Sequence, residues 1–190
     1  LWRFVEHWVA FSIEDGTLGI KGQYKVNWGD ELTYQIAGGE FRLDEVDLKP
    51  KSTQELPDTA LALGNLKLSG IDVDSARLHV DVASLDIGQL DVSTWREGER
   101  VSLVDLFAVN FPEDPAAAPA PEDDSNDGEQ PEWTASLGTV SLADSRLRWR
   151  SEFTDPAQLE VTPLEFTASA INWPLEGDTA LKLELTINGQ

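Results

Sequence analysis

From Thr17 to Trp28 the chain alternates: Leu18, Ile20, Gly22, Tyr24, Val26 and Trp28 fall on one side, and Thr17, Lys21, Gln23, Lys25 and Asn27 on the other. Successive side chains of a strand point to opposite faces, so this run dictates a strand that is oily on one face and wet on the other. Leu32, Tyr34 and Ile36 alternate in the same way, and parity then constrains the loop between the two runs. Both apolar sets share a face only if opposing residue numbers have an even sum. That excludes a two-residue Gly29-Asp30 turn and selects the odd-length loop of residues 29–31. Across Gly38-Gly39 the parity fits a two-residue primed turn, which places Ile36 opposite Phe41 and Tyr34 opposite Leu43. Late in the chain, Leu181, Leu183, Leu185 and Ile187 alternate against Lys182, Glu184 and Thr186 and run into Asn188-Gly189, a strong hairpin-turn signal.

A second regularity emerges when the chain is laid over itself so that Leu66 falls on Ala135. LKLSGIDVDSARLHV then lies over ASLGTVSLADSRLRW, and farther on LDVST from Leu90 lies over LEVTP from Leu159. Few residues are identical, Leu68/Leu137, Arg77/Arg146 and Leu78/Leu147 among them, but the apolar parity repeats. In the first copy Ile71 and Val73 can face Val80 and Leu78 across Ser75-Ala76; in the second, Val140 and Leu142 can face Trp149 and Leu147 across Asp144-Ser145. Stacked hairpins of this kind predict a repeating β-unit.

Other segments break the alternation. Leu1, Trp2, Val5, Trp8 and Val9 stand at helical spacing and predict a short amphipathic helix. Ser102 and Asp105 form an S-x-x-D capping box for a short helix through Leu103, Leu106 and Phe107. Residues 112–132 hold five Pro and eight acidic residues with no base and no aromatic, too little apolar surface to fold, and are expected to be disordered. The organisation expected is therefore a β-rich repeat segment over residues 1–111 with short flanking helices, an acidic Pro-rich linker over 112–132, and a second β-rich segment over 133–190 that continues the sheet. The fold class expected is mainly β: an elongated, curved antiparallel sheet of repeated hairpins with short helices.

The charge balance of 14 Lys and Arg against 35 Asp and Glu, net −21, repels phosphate backbones and argues against nucleic acid as a partner. It equally opposes headgroup-driven binding to an anionic membrane, so any lipid contact has to use apolar side chains. With no Cys, disulfides, thiol catalysis and zinc-thiolate sites are excluded. No run approaches the ~20 apolar residues of a membrane-spanning helix. Because the chain starts at Leu1 and contains no Met, it reads as a piece of a longer polypeptide, any anchor lying elsewhere.

No catalytic constellation is legible. GxGxxG, GxxxxGK[ST], GxSxG and HExxH are all absent. His7 and His79 are isolated, and His79 falls on the polar side of its strand. The run DDSNDGEQPEWT from Asp123 superficially resembles a calcium loop, but Thr134 stands where the bidentate Glu is needed. Arg146, Arg148 and Arg150 alternate opposite Leu147 and Trp149; they can in principle meet lipid phosphates, and read better as a solvated, salt-bridged outer face. No catalytic, cofactor or metal residue is therefore expected. The functional surface expected is the apolar groove or core face: Leu18, Ile20, Tyr24, Val26, Trp28, Leu32, Tyr34, Ile36, Phe41, Leu43, Leu147, Trp149, Leu181, Leu183, Leu185 and Ile187.

Several segments in order resemble the AsmA-like superfamily, in particular its domain of unknown function 748 branch: LWRFVEHW leading into DGTLGIKGQYKV, the LKLSGIDVDSARLHV segment, REGERVSLVDLF before a Pro-rich gap, and EWTASLGTVSLADSRLRWRSEFTDPAQLEVTPLEF after it. Glu97-Gly98 stands where that family often has Asp-Gly. The resemblance implies a long curved β-groove in the periplasm, fixed to the inner membrane by a helix outside this sequence. It also implies a non-enzymatic role in binding or conducting phospholipid or another apolar lipid, with the rest of the polypeptide and envelope proteins as partners. The alternative expectation is an interaction scaffold in outer-membrane assembly, its apolar face serving only as core.

Overall fold

The computed structural model describes residues 9–29, 32–51, 55–108, 132–175 and 177–189. The strands are β1 (Phe11–Trp28), β2 (Leu32–Pro50), β3 (Ala60–Asp74), β4 (His79–Glu97), the two-residue β5 (Arg100–Val101), β6 (Thr134–Ser151), β7 (Gln158–Trp173) and β8 (Ala180–Gly189); a single short helix, α1 (Ser102–Leu106), is found among the described residues. They form one open sheet in the order β1-β2-β3-β4-β6-β7-β8, with β5 paired to the end of β4. The fold is thus mainly β, built on one large sheet that leaves β1 and β8 as edges.

The β1–β2 register is the one that parity requires: Trp28 pairs with Leu32, Val26 with Tyr34 and Tyr24 with Ile36, so residues 29–31 connect the strands. Elsewhere the expected hairpins give way to longer strands. Gly38-Gly39 makes no turn; β2 runs through it, with Ile36 paired to Tyr24 and Val73 and Phe41 paired to Ile20 and Leu68. Asp144-Ser145 likewise lies within β6, where Leu142 pairs with Phe166 and Leu147 with Val161. The physical reason is the same in both places. One extra residue in a strand shifts side-chain parity just as a two-residue turn does, so residues five apart return to the same face by a β-bulge. Gly38 and Asp144 take the left-handed conformation that absorbs the extra residue, at φ 58° and 50°.

Three smaller expectations also change. The turn after β3 occupies residues 75–78, so Val73 faces Val80 and Ile71 faces Val82; the shared face holds and the register moves by two. Asn188 and Gly189 make ladder pairs with Glu160 and Leu159. The sheet is not wholly antiparallel either, since β4 and β6 run parallel, from His79↔Thr134 to Arg96↔Ser151. Parallel neighbours need a crossover, and here it runs through β5, α1 and the segment leading to β6. Most of residues 112–132, the helix expected over residues 1–9 apart from Val9, and His7 lie outside the described residues; Val9 forms an isolated bridge.

Irregular residues line up across the sheet. Glu45, Gln89 and Asp144 have positive φ at one level, where Gly64 of β3 lies against Gln89; Gly38, Gly70 and Ala170 do so at another. At the second level a Cβ on Gly39 would sit 2.9 Å from the Ile71 Cβ, so only glycine lets β2 and β3 approach there. Because neighbouring strands irregularise together, the pairing continues past each level and the apolar parity is kept. Bulges of this kind locally raise a strand's twist.

Among the described residues a closed core cluster forms at one end. Leu56, Trp95 and Leu106 are buried together, with Phe11 and Leu103 against them. The Ser102 side chain does not cap α1. Its hydroxyl accepts the Trp95 N–H at 3.1 Å and lies 3.0 Å from the Thr94 hydroxyl, which in turn accepts the Leu103 N–H at 3.2 Å. These buried hydroxyls, satisfied across β4 and α1, tie the helix to the sheet. Trp95 Nε1 donates to Pro57 O at 2.7 Å, tying in the loop that precedes β3.

Candidate functional site

The strand pairing sets the apolar side chains in rows that cross the entire sheet. Leu18, Leu43, Leu66, Ile87, Leu142, Phe166 and Leu183 are successive partners from β1 to β8. So are Ile20, Phe41, Leu68, Leu85, Val140, Ala168 and Leu181, and so are Ile13, Leu48, Leu61, Val92, Leu147, Val161 and Ile187. Direct partners share a face, so the sheet carries one continuous apolar surface. Seven strands at ~4.8 Å spacing make it about 30 Å wide. With a similar reach along the strands, the surface covers roughly 900 Å², more than the ~300–600 Å² of the largest patch on an ordinary monomer.

No second layer packs on it among the described residues. The strands pack chiefly on their sheet neighbours, and α1 on β4 and β5. Apolar side chains in the middle of the sheet are mostly half-buried, and Leu48, Leu63, Val92 and Ala168 are buried, whereas toward the edges Tyr24 is 83%, Trp28 84%, Ile20 71% and Leu181 69% exposed. Of the expected face, Leu18, Ile20, Tyr24, Val26, Trp28, Leu32, Tyr34, Ile36, Phe41 and Leu43 lie together on β1 and β2. Leu147 and Trp149 lie on the same face in β6, and Leu181, Leu183, Leu185 and Ile187 on the same face in β8.

Simple alternation missed the central contribution of β3, β4 and β7. There the bulges convert it into pairs spaced by five: Leu61 and Leu63, Leu66 and Leu68, Ile71 and Val73 in β3; Val80 and Val82, Leu85 and Ile87, Leu90 and Val92 in β4. Ala135 and Leu137, then Val140 and Leu142, continue it in β6. This five-residue period is the signal that identifies the bulged strands from sequence.

The opposite face is polar and paired. Asp81 accepts from the Ser136 hydroxyl and meets His79 Nε2 at 3.0 Å, while His79 Nδ1 lies 2.6 Å from Thr134 Oγ1. The serine hydrogen bond, then the histidine, hold the Asp81 carboxyl below its ordinary value. Lys49 is held above its usual range by hydrogen bonds to Glu14 and Asp47. Arg146 and Arg148 meet Asp91, Arg146 also approaches Glu160, and Arg150 reaches Asp58 at 3.2 Å. Among the described residues no group of three His, Asp or Glu is placed to hold a metal ion. The calcium-like run from Asp123 falls almost entirely outside the described residues.

At the end of the sheet near α1 the two faces meet a cleft of about 1100 Å³, bordered by the loop before β3 and the ends of β2, β4, β6 and β7. Trp149 and Leu159, the last apolar pair of β6 and β7, line it together with Lys49, Arg148 and Arg150. A second hollow of about 590 Å³ adjoins it through Glu55, Pro57, Trp95 and Arg150 and is bordered by Arg96 and Arg100. Fold and site together define an open single sheet with one apolar face that no second layer covers among the described residues, and a mixed-charge cleft at its closed end. Compared with known proteins, the chain matches no family model, no curated protein and no solved structure.

Proposed function

We propose that this chain is a segment of an AsmA-like periplasmic envelope protein, held to the inner membrane by a part outside this sequence, that binds or conducts lipid along its apolar face without catalysing a reaction. The observation that carries the reading is the apolar surface that crosses seven strands with no second sheet layer packed on it among the described residues. A lipid tail needs a continuous dry path, and each methylene moved from water onto such a surface is worth ~0.8 kcal/mol. The transverse bulge lines are compatible with a groove, since a bulged strand bends and a sheet that curves turns a flat apolar face into a trough. The same pattern supports the repeated-unit reading, because strand after strand carries the five-residue period.

Native mass spectrometry of the protein purified from bacteria tests the proposal. Phospholipid adducts that survive gentle desolvation are expected, and uniformly lipid-free spectra would count against it. A second reading, a scaffold for envelope proteins, draws on β1 and β8, the edge strands of the sheet among the described residues, where a partner could add a strand. Loss of a co-purified protein on deletion of residues 112–132, with lipid content unchanged, would favour that reading.

A further inference from the structure

Basic residues are scarce in this chain and unevenly spread. Lys49, Lys51, Arg96, Arg100, Arg148 and Arg150 line the two adjoining hollows at the closed end, against Glu55, Asp58, Glu97, Glu152 and Glu160. Six bases against five acids there compares with fourteen against thirty-five in the whole chain, so this is a place where the prevailing negative field is locally cancelled. Within the smaller hollow, Arg96, Arg100 and Arg150 come from β4, β5 and β6 and border one space around Trp95.

Arg96 differs from the other two. Its guanidinium stacks on the Phe153 ring at 4.9 Å and donates from Nε to Gly98 O at 2.9 Å, with no carboxylate in ion-pair range among the described residues. Arg100 lies 5.7 Å from the centre of the Trp95 ring and is held by Asp105 at 2.8 Å. Arg150 pairs with Asp58, which is largely exposed, and an exposed pair of that kind contributes little and yields readily to a better anion. Planar guanidiniums stacked on aromatic rings present fixed N–H forks, the geometry that suits phosphate oxygens.

The larger hollow links this site to the apolar face. It shares Trp95 and Arg150 with the smaller one, and its Trp149 and Leu159 are two residues from Leu147 and Val161, members of a row that crosses the sheet. Resting on the lipid-binding reading above, we infer that the Arg96, Arg100 and Arg150 hollow receives the phosphate head of an amphiphile whose tail leaves over Trp149 and Leu159 onto the apolar face. The occupant is thus a phosphate-headed lipid in preference to a neutral one, and its head lies at the closed end of the sheet.

Calorimetric titration of the delipidated full chain with dodecyl phosphate, dodecyl maltoside and inorganic phosphate, each below any micelle-forming concentration, tests this. Dodecyl phosphate is expected to bind at least about tenfold tighter than the maltoside, a difference of about 1.4 kcal/mol. Arg96→Gln, which leaves the core and every ion pair in place, should remove most of that preference while maltoside binding stays constant; Arg42→Gln, far along β2, should change neither. Equal binding of both amphiphiles, indifferent to Arg96→Gln, overturns head recognition and leaves the acyl-chain reading standing. Inorganic phosphate binding as tightly as dodecyl phosphate overturns the lipid assignment in favour of a free anion. Failure of both amphiphiles to bind takes down the lipid reading itself.

Discussion

Leu106 and Trp28 sit at opposite ends of the same sheet and meet opposite fates. At the α1 end, Leu106 is fully buried against Leu56 and Trp95. At the far tip, Trp28 and its partner Leu32 stand in the open, and Leu181 and Leu183 do so along the β8 edge. The side chains are of one kind, and the difference lies in what covers them. A helix one turn long and a loop tied by Trp95 Nε1 close one end, while among the described residues the remaining strands pack chiefly on their sheet neighbours. Stability and surface function are therefore expected to separate along the sheet.

Substitutions sharpen that comparison, starting with the closed end. Leu106→Ala removes a fully buried side chain and is expected to cost about 2–5 kcal/mol, seen as a lower urea midpoint with an unchanged slope. Ser102→Ala leaves the Trp95 N–H without its acceptor and should cost about 1–3 kcal/mol in the same measurement. On the open face the sign of the contrast reverses. Ile20→Ser and Leu183→Ser should each shift stability by no more than about 0.5 kcal/mol, yet weaken binding of a fluorescent fatty acid several-fold; a loss of stability as large as that of Leu106→Ala would mean the face is core.

The smallest effect concerns the polar face. The folded Asp81 carboxyl titrates below its ordinary value of 3.8, so the stability it contributes is complete above that value and is lost as pH falls through the folded one. Asp81→Asn should therefore flatten, slightly, the decline of the urea midpoint between neutral pH and pH about 3, and leave the midpoint's response to alkaline pH unaltered.

Much of the architecture was legible because side-chain parity is a hard constraint. The loop of residues 29–31 and the facing pairs of β1 and β2 follow from it directly. The same constraint is blind to the choice between turn and bulge. Gly38-Gly39 and Asp144-Ser145 carry turn residues and the parity of a turn, but a strand with sheet neighbours on both sides keeps more ladder hydrogen bonds by bulging through than by reversing. The central part of the apolar face was obscured for that reason, since Leu61 to Val73 reads as broken alternation until the period of five is seen. Of the arginine-bordered cleft the sequence singled out only Arg148 and Arg150, in the alternating run from Arg146. Arg96, Arg100 and Arg150 are scattered in sequence, and only the β4–β5 and β4–β6 pairings bring them around one hollow.

The central claim is that the apolar face is uncovered, and the absence of any native cysteine makes it directly measurable. Ile20→Cys, Leu183→Cys and Leu106→Cys, each in delipidated protein, can be timed for reaction with a thiol reagent under native conditions. The first two are predicted to react at nearly the rate of an unfolded control while the third is protected. Equal protection at all three positions would contradict the claim.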